Sequence, residues 1–243
     1  YLGSYGNEKE LIEEKFRKVQ SKMFEHTLNW SEKETQTSKL SQWDPFSHES
    51  CPWFDPEWMF GIKEGFDVVI GNPPYISISK LTKESQNQLY KLAYKNYTKV
   101  GDVYCLFFEK GIEILRTKGT INLITSNQWL QTEYGKIMRN YFVENTNPLR
   151  LINFGGLKVF QSSTVDTSIF IAEKERCASI LKACHFKNDY EISTPVNVYF
   201  NQNKIVISDL RADRWFIGSD NQSLLKEKIK AEGILLGDWN IQI

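Results

Sequence analysis

The stretch of the chain best suited to chemistry is Asn72-Pro73-Pro74-Tyr75. An asparagine amide oxygen accepts a hydrogen bond, and the Pro73 carbonyl accepts another with no neighbouring N–H to compete. Two acceptors converging on one point suit an amino group with two hydrogens. Accepting both keeps electron density on the nitrogen and stabilises the charge that develops as it attacks, so no side-chain base is needed beforehand. Tyr75 adds a ring that stacks on a planar heterocycle, a contact worth roughly 1–3 kcal/mol per base. Asn72, Pro73, Pro74 and Tyr75 are therefore the candidate catalytic set, a receptor for an aromatic amine such as adenine. Prolines also stop strands, because they lack a backbone donor. On the tetrapeptide alone that plainer reading stands beside the chemical one.

Several elements must position this turn. FDVVIG, residues 66–71, is a short apolar run of the kind that forms a strand buried on both faces. Residues 102–117 predict a helix, with Asp102 as N-cap and Gly119 as its stop. TINLITS from Thr120, LRLINF from Leu149 and TSIFIAEK from Thr167 predict strands, with a helix over 134–144 between the first two. This alternation predicts an α/β fold, a mostly parallel sheet with helices on both faces. Functional residues in such sheets gather at the carboxyl ends of strands, where Asn72–Tyr75 would sit.

Upstream, Asn7 caps a predicted helix over 8–28, with Ile12, Phe16, Val19 and Met23 at helical spacing. SEKETQTSKLSQ reads as a surface loop, and WDPFSHESCPWFDPEWMFG as an ordered aromatic loop packed on a domain. Downstream, VNVYFNQNKIVIS predicts a hairpin turning at Asn201-Gln202-Asn203 and opening a different unit. The expected divisions are 1–42, an N-terminal helix and loop; 43–190, a catalytic half-domain; and 191–243, the start of a second domain.

Composition narrows the class. With 243 residues, 41% hydrophobic and 14% aromatic, the chain can bury a proper core in one large or two small domains. No run approaches the roughly 20 apolar residues of a membrane helix and no signal-peptide pattern opens the chain, so a cytoplasmic protein with no membrane partner is expected. Cys51, Cys105, Cys177 and Cys184 are scattered, as reduced thiols are. Cys177, Cys184 and His185 lie near one another but lack a second metal-type pair, so no metal site is expected. Basic and acidic residues balance at 30 each, and a nucleic-acid partner must be argued locally. Between Lys80 and Val100, Lys80, Lys83, Lys91, Lys95 and Lys99 face a single acid, Glu84, with Tyr90, Tyr94 and Tyr97 interleaved. Two readings stand level: a segment that tracks a phosphate backbone, and a solvated helix whose lysine stems cover its apolar face.

FDVVIGNPPYI resembles the catalytic motif of amino-directed, S-adenosylmethionine-dependent DNA methyltransferases acting on adenine. GDVYCLFFEKGIEILRTKGTINLITSNQWL resembles their next two blocks, an Asp-hydrophobic-Tyr helix and a strand ending in Asn127. YGKIMRNYFVENTNPLRLINFGGLKVFQSSTVDTSIFIAEK resembles the following one. The Trp-rich approach and the tail from about 191 resemble large type IIG restriction–modification enzymes and the start of their Taq-like specificity domain. The resemblance covers roughly residues 43–243. It implies a partial Rossmann-like methyltransferase fold, S-adenosylmethionine as methyl donor, double-stranded DNA as partner, and an adenine flipped from the duplex. Asn72 and Pro73 would hold its amino nitrogen while Tyr75 stacks on one face and Phe160 contacts the other. Asp102 and Tyr104 would border the cofactor or base pocket, with Asp102 equally readable as a plain N-cap. Lys80, Lys83, Lys91 and Lys95 would meet the DNA backbone.

One family feature is missing. The cofactor-binding glycine block, F-x-G-x-G after a strand, is not found ahead of the catalytic motif. The chain is therefore expected to be an internal fragment, the catalytic half of the fold with an incomplete cofactor site, inactive by itself. The alternatives are a DNA-binding module without catalysis, and a methyltransferase acting on protein glutamine or RNA. The DNA recognition sequence is not legible, because it resides in contacts one sequence does not reveal.

Overall fold

The structure is a computed structural model. It describes residues 6–27, 36–44, 46, 55–160, 165–187, 189–191, 193–208, 210, 215, 217, 225, 228, 229 and 231–234. It divides into two compact units, residues 1–63 and 64–243.

In the first unit, α1 (Asn7–Thr27) is the long helix predicted from its spacing, and α2 (Gln36–Gln42) packs along it. Part of the polar stretch read as a loop is therefore helical. Gln20 on α1 fixes the end of α2, donating to the Leu40 carbonyl at 3.0 Å and also to that of Trp43. Phe16 meets Phe46 edge-on at 5.4 Å. Asp55 caps the short helix α3 (Pro56–Phe60) through the Trp58 amide, and Gly61, at φ 70, ends it. Trp53 and Phe54 lie outside the described residues.

The second unit is built on one six-stranded sheet. Its strands are β1 (Phe66–Gly71), β2 (Leu115–Ser126), β3 (Asn147–Asn153), β4 (Thr167–Glu173), β5 (Leu181–His185) and β6 (Ile205–Ile207). Across the sheet they run β1-β2-β4-β3-β5-β6. β1, β2, β3 and β5 share one direction, and β4 and β6 oppose it. The sheet is thus mixed, with four of six strands codirectional.

Alternation along the strands assigns the faces. Ile121, Leu123, Leu151, Phe170, Ala172 and Ala183 join the larger core with residues of α5 (Tyr104–Ile114) and α6 (Glu133–Asn145). Within it Phe142 stacks on Phe170 at 4.4 Å, and Trp129 meets both Phe108 and Trp215 edge-on. Ile152, Phe154, Cys184 and Phe186 point to the opposite face and pack with Tyr199 and Phe200 of α7 (Val196–Asn203). Helices therefore lie on both faces, as expected.

Three local readings are corrected. The Val196–Ile207 segment is not a hairpin: Asn201–Asn203 close helix α7, and only Ile205–Ile207 pairs, with β5. α5 ends at Ile114 rather than 117, because β2 begins at Leu115 beside Phe66. Gly119 does not stop a helix. It lets the strands approach, since a Cβ there would sit 2.7 Å from the Phe66 carbonyl oxygen. The third correction concerns β1, which lies at the sheet's edge with Val69 facing the core while Val68 and Ile70 are 58% and 75% exposed. Within the second unit, α7 packs against β5 on that face.

Candidate active site

β1 pairs with β2 up to Gly71–Leu123, and the chain then leaves the sheet as Asn72-Pro73-Pro74-Tyr75. The prolines cannot continue the ladder, so the turn is fixed at the strand's carboxyl end. Pro73 is buried, Asn72 and Pro74 are exposed and Tyr75 is half-buried. The Tyr75 hydroxyl donates to the Ile124 carbonyl at 3.2 Å, one residue beyond the last β1–β2 pair. Its ring lies edge-on to Tyr104, 6.4 Å between centroids. One aromatic ring thus stands at the sheet's rim, backed by a second, beside an asparagine amide open to solvent.

A second segment braces the turn. The Ile78 amide donates to the Gly101 carbonyl and the Val103 amide to the Ile76 carbonyl, both at 2.9 Å. These bonds clamp Ile76–Ile78 against Gly101–Val103 around an antiparallel Ser77–Asp102 bridge. Asp102 does not cap α5. Its Oδ2 accepts from the Tyr134 hydroxyl at 2.8 Å, and Val103 takes the cap position without a side-chain bond. Tyr104 is fully buried, its hydroxyl 3.0 Å from that of Tyr134. Burial raises the Tyr75, Tyr104 and Tyr134 hydroxyls above the usual tyrosine range, so all three are neutral donors near neutral pH.

Phe160 is half-buried on the connection between β3 and β4, and residues 161–164 lie outside the described set. β3 is parallel to β1, so this connection leaves the sheet at the same edge as Asn72. Two strand positions separate the origins of Phe160 and Tyr75, roughly 14 Å across three interstrand spacings. Asn127, just past β2, lies between them: its Nδ2 donates to Asn153 Oδ1 at 2.9 Å, and that oxygen also accepts from the Gly155 amide at 3.1 Å. The connection's root is thereby tied to the middle of the edge.

The candidate DNA-facing lysines, Lys80, Lys83, Lys91 and Lys95, are all exposed, two of them bounding α4 (Lys83–Lys91). Thr82 caps this helix through the Ser85 amide. Buried Glu109 of α5 organises the turn beyond it, accepting from the Lys95 amide, the Asn96 amide and Asn96 Nδ2, each at 2.8 Å. Glu109, Tyr134 and Asn153 were not singled out in the sequence. Their partners lie 13 to 32 residues away, and no local spacing signals them.

Cys105, Cys177 and Cys184 are free thiols, and burial pushes Cys105 up to about 12 and Cys184 to about 11. Cys51 lies outside the described residues. No helix among the described residues is long and apolar enough to cross a membrane.

Fold and site define an α/β protein whose sheet edge presents an Asn-Pro-Pro-Tyr turn braced from behind by an Asp-Val-Tyr segment. The chain belongs to the Eco57I restriction-modification methylase family, whose model matches residues 4–160. It is 29% identical over 181 residues to the type II restriction enzyme and methyltransferase RM.Eco57I of Escherichia coli, covering 72% of this chain and 18% of that protein. The type II methyltransferase M.BstVI of Geobacillus stearothermophilus is 27% identical over 125 residues, covering 49% and 22%. The chain thus spans less than a quarter of either relative's length. Among solved structures, the type IIG restriction endonuclease BpuSI aligns with a TM-score of 0.44 and 18% identity, over 68% of this chain and 22% of that one.

Proposed function

We propose that this chain is the target-base half of a DNA adenine methyltransferase within a type IIG restriction–modification protein. The observation that carries the reading is the turn at the carboxyl end of β1, where an exposed Asn72, a buried Pro73 and the braced ring of Tyr75 follow one another. In this role the Asn72 amide oxygen and the Pro73 carbonyl accept the two hydrogens of the adenine amino group. The nitrogen's lone pair is left directed away from both acceptors, and the positive charge it gains is stabilised where it forms. The base has left the duplex, since its amino group is otherwise paired and stacked. Tyr75 supports one face of it and Phe160 the other.

S-adenosylmethionine supplies the methyl group in this reading. The described residues do not form its cradle. The one glycine pair that follows a strand, Gly155–Gly156, leads into a loop rather than a helix, and the His185 ring packs over Gly155, 2.6 Å from where a Cβ would lie. The open edge of β1, with Val68 and Ile70 exposed, supports flanking strands there that complete the donor side.

Nucleoside analysis decides the substrate. Genomic DNA from a methylation-free host expressing the full-length protein is expected to gain N6-methyladenine. Label appearing only in RNA or in protein glutamine, with none in DNA, would assign the chain to the other substrates.

A further inference from the structure

Tyr134 is the point where α6 grips the segment that braces the turn. Its hydroxyl has one proton. Asp102, an acceptor-only carboxylate, takes it at 2.8 Å, so the contact with Tyr104 at 3.0 Å runs the other way, from Tyr104 to Tyr134. The result is a directed chain, Tyr104 to Tyr134 to Asp102. The Tyr134 ring also lies over Gly101, 3.7 Å from where a Cβ would stand. One side chain thus bonds Asp102 and Tyr104 and stands beside Gly101.

Each of the three reaches the catalytic turn by a separate contact. The Gly101 carbonyl accepts from Ile78, the backbone of Asp102 bridges Ser77, and the Tyr104 ring backs Tyr75 edge-on. Tyr134 is itself firmly set. Thr132 caps α6 through the Gly135 amide, and buried Arg139 donates to the Trp129 carbonyl and, at 3.4 Å, to that of Thr132. Gly135 sits so tightly under Trp129 that a Cβ would lie 2.6 Å from its carbonyl carbon.

We propose that Tyr134 is a positioning residue for base methylation: its hydroxyl, joining Asp102 to Tyr104, fixes the ring of Tyr75 at the angle that receives the target base. The proposal rests on the methyltransferase reading above, and its test separates the two.

In the full-length protein, Tyr134→Phe removes only the joining oxygen. Its single-turnover methyl-transfer rate is expected to fall about tenfold, the scale of one lost hydrogen bond in a positioned site, with DNA affinity within about twofold of the unaltered protein. In a Tyr75→Ala background the same substitution is expected to change the rate less than twofold, because the ring it places is gone. An unchanged rate, or the same tenfold loss in both backgrounds, overturns the proposal. Should Tyr134→Phe melt well below the unaltered protein, Tyr104→Phe breaks the inner bond and enters the same cycle. Amide hydrogen exchange gives a readout independent of catalysis. The Ile78 and Val103 amides are expected to exchange about tenfold faster in Tyr134→Phe, and unchanged protection overturns the positioning role even if the protein methylates no DNA.

Discussion

The hydroxyl of Tyr75 donates to the carbonyl oxygen of Ile124, 49 residues away, and ties the end of the Asn-Pro-Pro-Tyr turn to the neighbouring strand. The bond lies just where β1 stops pairing, so it replaces a ladder bond that Pro73 and Pro74 cannot make. Ring and hydroxyl then have separable jobs. Tyr75→Phe is expected to lower stability by about 1 kcal/mol, the net worth of one hydrogen bond, while methyl transfer stays within a few-fold. Tyr75→Ala is expected to cost ten- to about a hundredfold in transfer, the scale of a stacked base. Urea unfolding and single-turnover assays on the two variants check the division, and equal activities would remove the stacking role.

Asn72 is exposed and contributes little packing, so its replacement tests chemistry with little cost in stability. Asn72→Ala is expected to reduce methyl transfer by about 10²–10³, the usual effect of removing one preorganised polar group at a developing charge. DNA affinity is expected to hold within twofold in gel-shift titrations. Full activity in this variant would falsify the assignment of the amide oxygen.

The strand-end location of the turn was legible because strand signals are local: FDVVIG breaks at two prolines, and TINLITS, LRLINF and TSIFIAEK are β-branched and apolar. Helix 134–144 was likewise readable within one residue of its ends. What escaped was set by distant partners. Asp102 looks like a helix cap from its neighbours, but its carboxylate turns to Tyr134, 32 residues on. FDVVIG reads as a strand buried on both faces, yet Val68 and Ile70 depend on what covers β1, which the run itself does not encode. The 196–207 segment shows β-branched residues but forms α7, where Tyr199 and Phe200 bury against Phe186 and override local propensity.

Gly135 allows α6 to start directly beneath Trp129. Any side chain there collides with the Trp129 backbone, which Arg139 holds in place. Gly135→Ala is expected to destabilise the chain by at least about 2 kcal/mol, as overpacking at a rigid site does. Gly156→Ala, where a Cβ meets open space, is expected to change stability by less than about 0.5 kcal/mol. Denaturant midpoints of the two variants form the comparison, and equal midpoints would contradict the packing around Trp129.

Stability at high pH follows from buried tyrosines. Burial, with Glu109 and Glu113 adding to it, raises Tyr141 to about 12 from an ordinary value of 10.0. The folded state therefore keeps a proton that the unfolded chain releases above about pH 10, so the stability this group contributes is full below pH 10 and is lost as pH climbs toward 12. Burial raises Tyr75, Tyr104 and Tyr134 as well, with the same sign. The buried Cys105 and Cys184 thiols, raised from an ordinary 9.0, act with the same sign at lower pH, so urea midpoints are expected to be flat from pH 7 to about 8 and to drop beyond, with a shallower drop above pH 10 in Tyr141→Phe. A midpoint that rises through pH 10–11 would reverse the argument.

The lysines pose a question that salt answers. Lys80, Lys83, Lys91 and Lys95 are exposed beside the turn, and Glu109 fixes the backbone at Lys95. A side chain that neutralises a phosphate releases a counterion, so its loss lowers the slope of log affinity against log salt by about 0.9. Each alanine substitution at a lysine that meets a phosphate is expected to weaken DNA binding and flatten the slope by about one in the full-length protein. Four slopes indistinguishable from the unaltered protein would leave the segment a solvated helix and turn, its lysines serving solubility and not the phosphate backbone.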